Sequence, residues 1–157
     1  MVRMTRRTSL AMLAACAAAL ALPAAAQPKE PLKIGFIYVS PIGDAGWTHQ
    51  HDIARIAMEK NLAGKVTTKY IESVPEGADA ERVIRELAQS GHKLIFTTSF
   101  GYMNPTLKVA QQFPNTDFEH ATGYKDAKNM GRYNARFYEG RYLAGIVAGR
   151  MTRSNGR

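Results

Sequence analysis

Leu32-Lys33-Ile34-Gly35-Phe36-Ile37-Tyr38-Val39, then Ser40-Pro41-Ile42-Gly43-Asp44-Ala45-Gly46, then Trp47 is the stretch whose reading decides the fold. The first run is apolar and β-rich, the mark of a buried strand. The second is a cluster of turn formers. From Gly46 to Asn61 the apolar residues Ile53, Ile56, Ala57 and Leu62 recur at helical spacing, and Gly64 stops the pattern. A strand that ends in a small-residue turn and feeds a helix is where open α/β sheets hold ligands. The turn lets a ligand approach the backbone, and the helix start offers unpaired N–H donors. Trp47, the only tryptophan, stands at that mouth. A flat aromatic there suits a flat ligand, and an indole also serves as core beneath a loop.

Working outward, the same alternation repeats. Val66 to Ile71 is a second strand, and Ala78 to Gln89 a helix with Ala80, Val83, Ile84, Leu87 and Ala88 as its apolar stripe. Lys93 to Thr97 is a third strand, apolar enough to be buried on both faces. Pro105 to Phe113 follows as a helix, with Pro105 in its first turn, where a missing N–H costs little. Asp117 to Ala121 and Met130 to Asn134 are the fourth and fifth strands, and Arg136 to Met151 is a long final helix. Strands alternating with helices predict an α/β fold, a parallel sheet flanked by helices. Gly140, Ala144, Gly145, Ala148 and Gly149 weaken an isolated helix, so the final helix is expected to pack closely on another element.

The first residues read as an export address. Arg3, Arg6 and Arg7 precede an apolar stretch, Leu10 to Leu22, which ends in the small-residue site Pro23-Ala24-Ala25-Ala26. Residues 1–26 are therefore expected to be a cleaved signal peptide and 27–32 the mature N-terminal segment. The general secretory route is favoured, because the arginine pair lacks the aromatic that usually follows in a twin-arginine signal. Leu13-Ala14-Ala15-Cys16 resembles a lipobox, so a lipid anchor at Cys16 is the one membrane link considered. A cut after Ala26 leaves 131 of the 157 residues, one domain with room for a core. Three arginines and no acid leave with the signal, so the formal charge falls from +8 to +5. No cysteine remains for a disulfide, catalytic thiol or thiolate metal site. The charges are mixed along the chain, without the clustered basic face that nucleic acid requires.

Motifs for chemistry are sparse. His49 and His51 stand two apart, and on a helix they face different directions and cannot chelate one ion. There is no Gly-x-Ser-x-Gly elbow, no Walker loop and no Gly-x-Gly-x-x-Gly. No acid–base or nucleophilic constellation assembles, so neither an enzyme, a cofactor nor a bound metal is expected.

Three stretches carry a resemblance: Ile34 to Tyr38 through Gly43-Asp44-Ala45-Gly46-Trp47-Thr48; His120-Ala121-Thr122-Gly123-Tyr124-Lys125; and Asn134-Ala135-Arg136-Phe137-Tyr138-Glu139-Gly140-Arg141-Tyr142-Leu143-Ala144-Gly145. Together they resemble the first half of a substrate-binding protein of the basic membrane protein family, the PnrA-like group of ABC importers. The resemblance runs over 33–154. It implies a type I periplasmic-binding-protein fold, two α/β lobes joined at a hinge with the ligand caught between them. Residues 33–151 would be the first lobe and 152–157 a truncated hinge or linker, with the second lobe absent.

The implied function is that of a periplasmic solute-binding protein for purine nucleosides or purine bases, with an ABC permease and its ATPase as partners. Lobe closure would drive delivery. Closure needs two lobes, so this chain alone is expected to bind weakly or not at all. In the family an aromatic at the position of Trp47 lies against the purine. Asp44 would accept hydrogen bonds from a ribose hydroxyl or a base N–H, or else cap the helix. Thr48 is a further donor, or satisfies the helix start. Ser99, Phe100, Gly101 and Tyr102 follow the third strand on the same sheet edge and form the expected second wall, with Thr122-Gly123-Tyr124 a weaker third candidate. Arg136 and Glu139 read as an ion pair on one helix face. Two alternatives stand beside this reading: a secreted α/β enzyme acting on nucleosides, and a non-functional fragment.

Overall fold

A computed structural model describes residues 30–152 of the chain. The proposed signal peptide, Cys16 and residues 153–157 lie outside the described residues. Five strands form one parallel sheet: β1 (Leu32–Ile37), β2 (Val66–Ile71), β3 (Leu94–Thr97), β4 (Asp117–Ala121) and β5 (Met130–Tyr133), in the order β2-β1-β3-β4-β5. Four helices connect or follow them: α1 (Trp47–Asn61), α2 (Ala78–Gln89), α3 (Met103–Ala110) and α4 (Phe137–Met151). A single 3-10 turn, Phe100–Tyr102, precedes α3. The strand order reverses between β1 and β3, and at such a switch point the loops above the carboxyl ends diverge and open a crevice.

The main core lies between the sheet and the pair α2 and α3. Ile37, Ile95, Phe118 and Met130 point into it from the strands and meet Val83, Ile84, Leu87, Met103 and Val109. Ile34 and Phe36 of β1, and Tyr38 just beyond it, turn to the other face, where Val66 joins them and Met58 of α1 packs alongside. Gly35 faces α2, and a Cβ there would stand 3.1 Å from a Leu87 methyl, so the glycine lets the helix seat closely on the strand. The stripe predicted for α2 is buried throughout, from Ala80 to Ala88.

Helix α3 begins two residues before Pro105 and ends at Ala110, earlier than the spacing predicts. Pro105 still falls in the first turn, among N–H positions that have no helical partner. At the other end the side-chain amide of Asn129 donates to the carbonyls of Ala110, Phe113 and Thr116 and takes over where the helix stops.

Two helices differ from the sequence expectation. In α1, Ile53 and Ile56 are 47% and 52% exposed, and the residues turned to the sheet are Thr48, Asp52, Arg55 and Glu59. That polar stripe is tolerated because its members satisfy one another. Tyr38 Oη donates to Asp52 Oδ1 (3.2 Å), Arg55 Nε to the same oxygen (2.7 Å), and Arg55 Nη1 to Thr68 Oγ1 (2.9 Å). Glu59 accepts from both the backbone N–H and the hydroxyl of Thr68 on the edge strand β2. The second helix is α4. It buries none of its residues, and a Cβ on Gly140, Gly145 or Gly149 would meet nothing within 4 Å. Nothing among the described residues packs on it as its small side chains lead one to expect.

Candidate functional site

Helix α1 starts at Gly46, whose φ of 95° is a conformation that side chains with a Cβ rarely adopt. No side chain caps this start. Asp44 therefore is not the N-cap; it is exposed and has no hydrogen-bond or ion-pair partner among the described residues. The turn before it is held from below, because Ile42 N–H donates to Glu72 Oε2 at 3.0 Å.

Gly46 delivers Trp47 to the crevice. The indole stays 37% exposed, and its Nε1–H donates to the carbonyl of Thr98 after β3. Trp47 thus bridges the loops on either side of the switch point. Beside it opens a cavity of about 590 Å3 lined by Trp47, Gln50, His51, Thr122, Tyr133 and Phe137, with Gly46, Ala121, Asn134 and Ala135 completing the wall. Four rings frame it. The Trp47 centroid lies 4.6 Å from His51 and 5.6 Å from Phe137, and His51 lies 6.1 Å from Tyr133. Burial and the nearby Glu119 carboxylate push the Tyr133 phenol well above its ordinary range, so it is neutral and able to donate.

Thr122 carries the cavity's backbone anomaly. Its φ is +68°, an outlier for a β-branched residue. The turn is pinned because Thr122 N–H donates to the Tyr133 carbonyl at 2.8 Å. Beneath it His120 is fully buried, with Nδ1 3.0 Å from Thr97 Oγ1 and Nε2 without a partner among the described residues. Burial lowers the pKa of His120. A Cβ on Gly123 would overlap that ring, so the turn closes over the histidine only with glycine there.

Of the residues singled out in sequence, the cavity gathers Trp47, with Thr122 from the weaker group. Thr48 is buried, and its hydroxyl is engaged with Ser40 Oγ at 2.8 Å. Tyr102 is fully buried and donates its hydroxyl to the Val74 carbonyl at 2.6 Å. Ser99 Oγ and Gly101 N–H both donate to Glu76 Oε1, at 2.6 and 3.2 Å. Phe100 is 55% exposed, its ring 6.3 Å from Tyr124. The loop after β3 therefore spends its polar groups on Glu76 and on the core, and none of its residues from 99 to 102 lines the cavity. The other wall comes from the ends of β4 and β5. His51, Tyr133, Asn134 and Phe137 were not among the residues expected to touch the ligand. Gln50 and His51 did carry a signal, standing three and four residues after Trp47 on one helix face. Arg136 and Glu139 pair at 3.0 Å in the open.

A parallel sheet with an aromatic cavity at the carboxyl edge of its switch point is the α/β arrangement in which ligands are commonly held. The chain belongs to the PnrA-like ABC transporter substrate-binding family, whose model matches residues 32–157. A purine-binding protein of Brucella abortus is 58% identical over 142 residues, covering 90% of this chain and 41% of that protein. A Haloferax volcanii protein, provisionally named an ABC transporter glucose-binding protein, is 45% identical over 80% of this chain and 32% of its own length. The fold matches the crystal structure of an ABC transporter solute-binding protein from Aeropyrum pernix with a TM-score of 0.65 at 22% identity, over 76% of this chain and 32% of that one. The chain thus spans less than half the length of these curated relatives. Among the described residues no helix is long and apolar enough to cross a membrane.

Proposed function

We propose that this chain is a ligand-binding lobe of an exported solute-binding protein, and that its solute is a purine base or nucleoside resting on Trp47. The observation that carries the reading is the cavity itself. Four aromatic rings surround a space of the size that small-molecule sites have, with few polar groups among them. Stacking on such rings contributes about 1–3 kcal/mol per base and discriminates little between bases. The purine name of the Brucella relative supports the choice of solute. Delivery to a membrane permease driven by an ATPase, without chemistry on the solute, follows from the family. Export by residues 1–26, with cleavage after Ala26, and residence in the periplasm complete the proposal.

The Haloferax relative motivates a second arm of the test, since a sugar also lies flat on an indole. Calorimetric titration of the chain with adenine, guanine, adenosine and glucose separates the two. Saturable heat with a purine, weak because one lobe supplies the contacts, and none with glucose is the expected result. Heat with glucose alone, or purine affinity unchanged in Trp47→Ala, overturns the purine assignment.

A further inference from the structure

The geometry points to His51 as a specificity-determining residue: its Nε2 accepts a hydrogen bond from a ring or amino N–H of the flat ligand, so the cavity selects bases with an in-plane N–H donor. This rests on the purine reading of the same cavity. His51 Nδ1 lies 2.9 Å from the Trp47 carbonyl oxygen. A carbonyl only accepts, so Nδ1 carries the hydrogen, and an imidazole whose single hydrogen is on Nδ1 presents its lone pair at Nε2. That atom has no protein partner among the described residues and is not sealed from solvent, since His120 Nε2 alone is a buried side-chain polar atom without a partner. The hydrogen bond to Trp47 also fixes the ring beside the indole, so the imidazole is held in the cavity wall before any ligand arrives.

Of the other lining side chains, Thr122 Oγ1 donates to the Ala121 carbonyl and Asn134 Oδ1 accepts from the Ala135 N–H. The Gln50 amide and the Tyr133 hydroxyl also offer acceptors in the wall, and substitution of His51 alone separates its role from theirs. Among the described residues no carboxylate lines the cavity. The remaining histidines stand elsewhere: His49 bonds the Gly43 carbonyl, His92 the Leu87 carbonyl, and His120 lies beneath the sheet edge. A flat ring without an N–H would strip water from Nε2 and return nothing, and an unpaired polar group in a site is what rejects a near-isostere.

The test measures the affinities of adenine, 9-methyladenine and N6,N6-dimethyladenine, each methylated probe masking one donor, on the wild-type chain and on His51→Phe. The variant keeps a ring and removes the acceptor, and its thermal melt verifies the fold. In the wild type at least one methylated probe binds about fivefold or more weakly than adenine, the loss expected for one hydrogen bond, and in His51→Phe that penalty disappears. The same penalty in both proteins overturns the role of His51 and leaves the purine reading standing. No binding of any probe to the wild type overturns the proposal that this lobe holds a purine by itself, and this role with it. Independently of any variant, long-range nitrogen–proton NMR of the free chain is expected to show His51 protonated on Nδ1. A hydrogen on Nε2 instead overturns the role.

Discussion

Helices α1 and α2 are similar in length and lie on opposite faces of the same sheet, yet they are seated by different forces. Helix α2 turns Ala80, Val83, Ile84, Leu87 and Ala88 inward and is held by apolar burial. Helix α1 turns Thr48, Asp52, Arg55 and Glu59 inward and is held by directional bonds to Tyr38 and Thr68, with the Arg55 guanidinium 4.7 Å from the Tyr70 ring centroid. Apolar contact tolerates some rotation about a helix axis; a network of fixed donors and acceptors does not. The helix that makes the core is greasy inside, and the helix that presents Trp47 and His51 to the cavity is keyed in place.

The largest effect should come from breaking the key. Asp52→Ala removes the acceptor shared by Tyr38 and a mostly buried Arg55, leaving Arg55 only the more distant Glu59 carboxylate, and is expected to cost about 3–5 kcal/mol in chemical denaturation. A cost below 1 kcal/mol in the same experiment would mean that the network does not seat α1. Next, Ile84→Ala on α2 should cost about 2–5 kcal/mol, while Ile56→Ala on the outside of α1 stays within about 0.5 kcal/mol. Equal losses would erase the contrast between the helices. Smaller again is the strain at the cavity. Thr122→Asn, which tolerates a positive φ, should stabilise by about 1 kcal/mol, and an unchanged melting temperature would show that the turn carries no strain.

The smallest effect is one of pH. Burial depresses the His120 pKa, so the unfolded imidazole takes up a proton at a higher pH than the folded one. Its contribution to stability is therefore present above the unfolded value of about 6.5 and is lost as pH falls below it. Melting temperature should drop between pH 7.5 and 5.5, and His120→Gln should flatten that slope. An identical slope in the variant would assign the effect elsewhere.

Much of the scaffold is legible in the sequence because it is local. The bounds of β2, α2 and β4 follow from period and punctuation alone. The seating of α1 is not legible, because nothing local to Asp52 and Arg55 says that Tyr38 and Thr68 are brought against them. The site divides in the same way. Trp47 is announced by the strand, turn and helix around it. The engagement of Ser99 and Gly101 by Glu76 depends on a contact across more than twenty residues. Tyr133 and Phe137 reach the cavity only because β5 lies at the far edge of the sheet from β2.

The single tryptophan gives one indole N–H resonance, and that signal reports directly on the claim that a planar solute rests on Trp47. Adenine added to the isotope-labelled chain at millimolar concentration should shift it progressively and saturably, together with the backbone signals of His51, Thr122 and Tyr133. An indole signal that stays fixed while signals elsewhere move would contradict the account.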